Sequence, residues 1–257
     1  MFEEVDDLYG KLQGMRPLSP DSLRRLSEDF MIDYTYNSNA IEGSTLTLDE
    51  TALVLKEGVT IGGKPLQYHL EAIGHRDAYY YVEDLIKNKV PVSERIIKEI
   101  HTLVLMDRQT DKGVYRSVPV RVGGFHPCQP YEVPVKMERL MLDHDREMQK
   151  LHVVERAAMF HLMFETIHPF IDGNGRVGRL LLNLELMKDG YPPVNVKFSD
   201  REKYYDCFSH YRENINDTSK MTKLVGEYAI YELKRYIEIA EQSDKLRNDD
   251  PKNYCDY

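Results

Sequence analysis

The stretch His168-Pro169-Phe170-Ile171-Asp172-Gly173-Asn174-Gly175-Arg176-Val177-Gly178-Arg179 is the most informative in the chain. Apolar residues at helical spacing lead into it from Val154 and away from it to Lys188, so it reads as a turn between two helices. Pro169 disfavours helix at His168, which ends the first helix on an imidazole, and the second begins around Gly175. Gly173 and Gly175 can take positive φ and turn successive backbone N–H groups toward one point. The helix N-terminus adds partial positive charge, and Arg176 and Arg179 put two guanidinium groups on one face. Such a cradle suits more than one phosphate. Asp172 would repel phosphate unless a divalent cation bridged them, which Mg²⁺ does with one or two carboxylates plus phosphate oxygens. His168, at a helix C-terminus, is placed to accept a proton from an incoming hydroxyl. Each feature alone is ordinary, since a His before Pro ends helices and paired Arg residues line solvated faces. Their coincidence in one turn favours a base, a metal ligand and a phosphate cradle.

Outward from this turn the periodicity stays helical. Leu23, Leu26, Phe30 and Tyr34 mark an amphipathic helix from Ser19 to about Ser38, closed by Gly43. Thr47 and Glu50 form a capping-box pattern ahead of a helix that Gly58 ends, a long helix runs from about Pro65 to Lys87, and Ser93 caps another. Met106 to Pro134 changes character: Gly113, Gly123, Gly124 and several prolines surround the alternation Val118-Pro-Val-Arg-Val122, which predicts a short β-hairpin. Further helices are predicted over 134–150, 154–168, 175–188, 200–214 and 219–240, before a polar tail. The expected class is all-α with one small hairpin. Residues 1–60 form an N-terminal helical region and 61–257 the larger unit, its core about 93–215, packed as a single body.

The 257 residues can bury a sizeable core without disulfides, and 34 Lys plus Arg against 43 Asp plus Glu leave a net charge of −9. That balance argues against a nucleic-acid-coating protein. Cys128, Cys207 and Cys255 show no C-x-x-C spacing, which points to a reducing compartment without structural zinc. The acidic start lacks a signal-peptide pattern and no apolar run approaches the roughly 20 residues that span a bilayer. A cytoplasmic address and no membrane partner are therefore expected. Gly58 to Lys64 imitates a P-loop, but Pro65 stands where Ser or Thr would bind Mg²⁺. His126, His144, His152 and His161 show no H-E-x-x-H pairing, so a zinc hydrolase is unsupported.

Residues 168–179 resemble the motif H-P-F-x-(D/E)-G-N-G-R-x-x-R of the Fic family at every defined position. YRSVPVRVGGFHP, from Tyr115, is similar to the family's flap hairpin, and the helices after GGKP and around SDREKYYDCFSHY fall where members have flanking helices. The resemblance implies a mainly α enzyme that transfers AMP from ATP to a Tyr, Thr or Ser hydroxyl of a target protein, releasing pyrophosphate. On this resemblance His168 would deprotonate the hydroxyl and Asp172 would hold Mg²⁺, with Mn²⁺ as a substitute. Asn174 with the N–H groups of Gly173 and Gly175 would hold the α- and β-phosphates, Arg176 the inner phosphates and Arg179 the γ-phosphate. Tyr204 and Tyr205 resemble adenine-pocket residues, and Val120, Arg121, Val122 and Gly123 of the flap would pair with an extended target segment. Cys128 stands where relatives often have proline.

Ser38-Asn-Ala-Ile-Glu42-Gly43 resembles the family's inhibitory motif (S/T)-x-x-x-E-(G/N). It implies that Glu42 pairs with Arg179 and repels the γ-phosphate, which makes 1–60 the region of an inhibitory helix. The implied protein is an autoinhibited adenylyltransferase whose partners are ATP and a target protein, itself included given 18 Tyr. Family members also form homo-oligomers that mask the inhibitory helix. Other readings of the same cradle are AMP removal with Glu42 orienting water, transfer of another phosphoryl-containing group, and an ATP-sensing toxin–antidote scaffold. Intact His168, Asp172 and Asn174 argue against the scaffold.

Overall fold

The computed structural model describes residues 1–15, 20–106 and 108–248; Ser19 and Cys255 fall outside these. Among the described residues the chain forms α1 (Phe2–Gly14), α2 (Pro20–Ile41), α3 (Leu48–Glu57), α4 (Leu66–Lys87), α5 (Glu94–Val104), α6 (Val133–Arg146), α7 (Val153–Ile167), α8 (Asn174–Lys188), α9 (Arg201–Glu213) and α10 (Ser219–Asn248). Local chemistry sets several of these ends. Thr47 Oγ1 accepts from Glu50 N–H while Glu50 Oε2 accepts from Thr47 N–H, a closed capping box, and Gly58 ends α3 at φ +66°. Lys64, the residue that imitates a P-loop lysine, bonds the Thr45 carbonyl and pairs with Glu50.

The predicted hairpin is absent, and among the described residues there is no β-strand at all. Val122 and Phe125 exchange two backbone hydrogen bonds of 2.9 and 2.8 Å across Gly123 and Gly124, both at positive φ, but the pairing stops at this single bridge. Pro119 and Pro127 lack the N–H groups that a longer ladder needs, and Val118 and Val122 are exposed, so no buried face rewards extension. The turn signal in Gly-Gly is therefore realised and the strand pattern around it is not. Helix α10 also continues to Asn248, well past the expected Ala240.

Helices α7 and α8 pack against each other at the centre, with apolar residues on more than one side. Phe160, Phe164, Leu180, Leu181 and Leu184 join a core with α4, α5 and α6. Val154, Ala158, Leu162, Leu182 and Leu186 join a second core with α1, α9 and α10. A helix enclosed this way shows weak amphipathic periodicity, and its polar residues must find partners inside. Glu185, fully buried on α8, is met by Arg156 and His144 at 2.9 Å and Lys188 at 2.8 Å. Burial alone would raise its pKa, but His144 and Lys188 outweigh that and hold it at about 2. Among the described residues no helix is long and apolar enough to cross a membrane.

Burial lowers the pKa of His161 to about 3 and of His101 to about 4, and keeps His75 well below the usual histidine value of 6.5. Between those values and 6.5 the unfolded chain binds more protons than the folded one, so stability rises with pH across that window. Glu185 acts in the same direction lower down, its contribution fading as pH falls from 4.5 toward about 2. Thermal unfolding followed from pH 7.5 to 4.5 is expected to show Tm constant above pH 7 and falling below 6.5. Each buried histidine contributes on the order of 1 kcal/mol per pH unit once the unfolded form is protonated. A Tm that does not change between pH 7 and 5 contradicts this account.

Candidate active site

The turn between α7 and α8 is built from two left-handed residues and one asparagine. His168 ends α7 at φ +51°, and Gly173 precedes α8 at φ +76°. Between them Phe170 is buried and lies flat on the His101 ring, 3.7 Å between centroids and 4° between planes. Asn174 Oδ1 accepts from Phe170 N–H, and its Nδ2 donates to Phe170 C=O, both at 2.9 Å. The asparagine thus closes the loop on itself, and both side-chain polar atoms are occupied inside the protein.

His101 of α5 fixes the next residue. Its Nδ1 accepts from Gly113 N–H at 2.8 Å, so Nε2 carries the proton and donates to Asp172 C=O at 3.0 Å. Asp172 Oδ1 accepts from Gly173 N–H at 2.6 Å, and its Oδ2 lies 3.1 Å from Arg108. Arg176 is 2% exposed, 3.4 Å from Asp172 and 3.3 Å from Glu71 of α4, yet its Nε and Nη1 make no hydrogen bond. The N–H groups of the first turn of α8 have no partners within that helix, and Gly173 has no side chain to cap them. A buried guanidinium with unused donors beside a helix N-terminus fits an anion.

Arg179, one turn along α8, is saturated instead. Its Nε donates to Ser38 Oγ at 3.0 Å, and its Nη2 donates to Ser38 C=O and Glu42 Oε1, both at 2.8 Å. The Glu42 carboxylate lies so close to Gly175 that a Cβ there would overlap Oε1, which puts it at the positive end of α8. Helix α2 stops at Ile41, and Gly43 at φ +103° turns the chain away, leaving Glu42 as the residue that faces α8. Arg201 Nε donates to Ile41 C=O at 2.9 Å and its guanidinium covers the Tyr205 ring at 4.6 Å, so α9 holds the same helix end.

These residues surround a cleft of about 430 Å³. His168, Gly175, Arg179, Glu42, Tyr204, Tyr205, Val122 and Gly123 line it together with Glu165, Phe125, Arg201, Phe208, Ser209 and Arg212. Asp172, Gly173, Asn174, Arg176, Ser38 and Gly43 stand behind or beside this wall, whereas Val120 and Arg121 lie outside it, Arg121 exposed. Tyr204 is 1% exposed, sits 2.7 Å from His161 and is as much a core residue as a wall. Burial raises its pKa well above the phenol value. Sequence reasoning missed His101, and also Arg116, a buried side chain whose Nε donates to His168 C=O at 2.8 Å and whose Nη2 donates to Cys128 C=O at 2.5 Å. A single Arg or His in a variable stretch carries no signal of such long-range contacts.

An all-helical fold, among the described residues, with a histidine-ended turn leading into a glycine-started helix that carries two buried arginines is the class that fold and site define. The Fic/DOC family pattern matches residues 91–186. Protein adenylyltransferase Fic of Nematostella vectensis is 36% identical over 211 residues, which are 80% of this chain and 49% of that protein. Protein adenylyltransferase fic-1 of Caenorhabditis elegans is 34% identical over 256 residues, 96% of this chain and 49% of that protein. The chain spans about half the length of these curated relatives. A Fic-domain-containing signalling protein of Bacteroides thetaiotaomicron has the same fold, with TM-score 0.87 and 30% identity over 93% of this chain and 97% of that one. A glutamate-to-glycine form of C. elegans Fic-1 gives TM-score 0.80 and 30% identity, with 92% of this chain and 72% of that one covered. The chain belongs to the Fic/DOC family.

The pair of hydrogen bonds between Asn174 and the Phe170 backbone makes a stability prediction. Asn174→Ala leaves a buried N–H and a buried C=O unpaired, at about 1–3 kcal/mol each. Differential scanning calorimetry is expected to show a Tm lower by several degrees with the helical content unchanged. An unaltered Tm contradicts a bracing role for the amide.

Proposed function

We propose that the chain is an autoinhibited protein adenylyltransferase, which moves AMP from ATP to a Tyr, Thr or Ser hydroxyl of a target protein, itself included. The observation that carries this reading is the contrast between two arginines of one helix. Arg176 is buried with its Nε and Nη1 making no hydrogen bond, while Arg179 has its Nε and Nη2 taken by Ser38 and Glu42.

In this reading the target hydroxyl enters the cleft at the rim formed by Val122 and Gly123. His168 removes its proton, the oxygen bonds to the α-phosphorus, and the bond from that phosphorus to its bridging oxygen breaks, so pyrophosphate leaves. Arg176 and the first-turn N–H groups of α8 hold the inner phosphates by charge and donors already in place, which is the larger part of such catalysis. Asn174 acts through the loop that it braces, and the phosphates meet the backbone N–H of Gly175 in the first turn of α8, that of Gly173 being held by Asp172 Oδ1. Tyr204, Tyr205 and Phe208 supply an apolar wall suited to adenine. Among the described residues no three metal-ligating side chains cluster, so the lone carboxylate of Asp172 fits an ion held mainly by phosphate oxygens. Mg²⁺ at Asp172 would neutralise charge on the phosphates; Mn²⁺ has the same ligand preferences.

Glu42 is the brake. While it holds Arg179, a γ-phosphate meets a carboxylate where it needs a guanidinium. Glu42 also shares the cleft with His168, which supports a second reading, hydrolytic removal of AMP with Glu42 orienting water. The free thiols of Cys128 and Cys207 support a reducing, cytoplasmic setting.

The test is α-phosphate-labelled ATP with intact-mass spectrometry on wild type, Glu42→Gly, and Glu42→Gly combined with His168→Ala. Label is expected on protein in the second sample, at least tenfold above the first, and none in the third. Equal labelling of wild type and Glu42→Gly removes the brake; no label in any sample, with AMP released from an AMP-modified protein, replaces transfer by the second reading. Asp172→Ala is expected to abolish transfer together with its Mg²⁺ dependence, and transfer that persists in excess chelator contradicts the metal.

A further inference from the structure

Glu165 lies one turn before His168 on α7, and nothing in the reading above uses it. Its Oε2 is 3.5 Å from His168 Nδ1, and the two side chains are 12% and 15% exposed. His168 Nδ1 and Glu165 Oε1 are both buried without a hydrogen-bond partner. Two unsatisfied polar atoms of opposite need, side by side on one helix end, are costly unless they serve each other or a ligand.

The opposite wall is shaped around this carboxylate. A Cβ at Gly178 of α8 would come within 2.6 Å of Glu165 Oε1 and 2.8 Å of the His161 ring. Position 178 is one of the three undefined positions of the motif in 168–179, so the motif itself does not ask for glycine there. In this chain the absent side chain is the space that Glu165 and His161 occupy. The histidine backbone is locked from the far side by Arg116 on its C=O and by its own N–H bond to Phe164 C=O at 2.9 Å. The imidazole has only its χ angles left to settle, and Nδ1 faces Glu165.

We propose that Glu165 is the positioning residue for His168. Its carboxylate accepts the Nδ1 proton, which fixes the neutral ring as the Nδ1–H tautomer and leaves the Nε2 lone pair to the cleft that His168 lines. A closure of roughly 0.6 Å makes the 3.5 Å approach an ordinary N–H···O bond, and such contacts are often long before substrate is bound. When Nε2 takes the proton of the attacking hydroxyl, the Nδ1 proton stays on the ring and the imidazolium charge faces the Glu165 carboxylate. Glu165 does not touch the reacting atoms; it selects which nitrogen does.

The inference rests on His168 as base, and its test separates the two claims. Side-chain ¹H–¹⁵N spectra at pH 8 of wild type, Glu165→Gln and Glu165→Ala read the tautomer of His168 directly, whether or not AMP is transferred. The Nδ1–H form is expected in wild type and Glu165→Gln, whose amide oxygen still accepts, and the Nε2–H form that dominates free imidazole in Glu165→Ala. In the Glu42→Gly background Glu165→Ala is expected to lower kcat for AMP transfer 10- to 100-fold with KM for ATP within twofold, and Glu165→Gln to recover most of it. An unchanged His168 tautomer in Glu165→Ala overturns the proposal. So does a rise in KM for ATP at constant kcat, which assigns Glu165 to the nucleotide instead. A tautomer that shifts while no variant transfers AMP keeps Glu165 in its role and overturns the reaction.

Discussion

Burying a guanidinium is costly unless its N–H groups find partners, and Arg179, buried under the end of α2, finds them there. Ser38 gives it a hydroxyl and a carbonyl, and Glu42 gives it a carboxylate. That contact ties the end of α2 to α8, while Phe30 and Tyr34 of the same helix pack in the core with α4. Arg201 and Tyr205 of α9 then close on the carbonyl of Ile41, so three helices meet at a single charged centre. The contact is therefore architectural before it is regulatory. Removing Glu42 would leave the two Ser38 bonds in place, so the proposed brake could be lifted without unseating the helix.

The second constraint is the tight turn between α7 and α8. Two helices that share both cores must reverse direction within 168–173 while a phenylalanine is driven inward. The left-handed φ of His168 is uncommon for a residue with a Cβ, and it persists because its N–H, its carbonyl and the adjoining loop are all bonded. The stacking of Phe170 on His101 and the two bonds from Asn174 over-determine the rest. Asn174, which looks like a ligand contact in the motif, spends both side-chain polar atoms on the Phe170 backbone, so what it does in this structure is hold the loop.

The helices were legible because α3, α5, α7 and α8 carry their own end signals: a capping box, a serine cap, a His-Pro stop and glycine turns. The cradle was legible because its members lie within one stretch of chain. The pairing of Glu42 with Arg179 was readable only through the resemblance, since nothing local in Ser38-Asn-Ala-Ile-Glu42 points 137 residues ahead. The hairpin misled for the opposite reason. Alternating Val residues describe a half-buried strand, but no element covers one face of 118–122, and the prolines withhold donors, so the pattern found no partner. His101, Arg116 and Glu165 left no trace because each is a single polar residue in an apolar or loop context whose meaning is set by tertiary packing.

The two arginines also fix the sign of the energetics. Arg176 has its desolvation already incurred and its Nε and Nη1 without hydrogen bonds, so in the proposed function an anion there would recover what folding left unsatisfied. Arg179 must first give up bonds to a carboxylate, which for a charge-assisted pair are worth about 1.5–3 kcal/mol. In the proposed function a γ-phosphate that takes the place of Glu42 on Arg179 exchanges one charge-assisted pair for another, so part of its binding free energy would be given back. Such a brake would not close the site: it would admit the inner phosphates and misplace the outer one until something moves the end of α2.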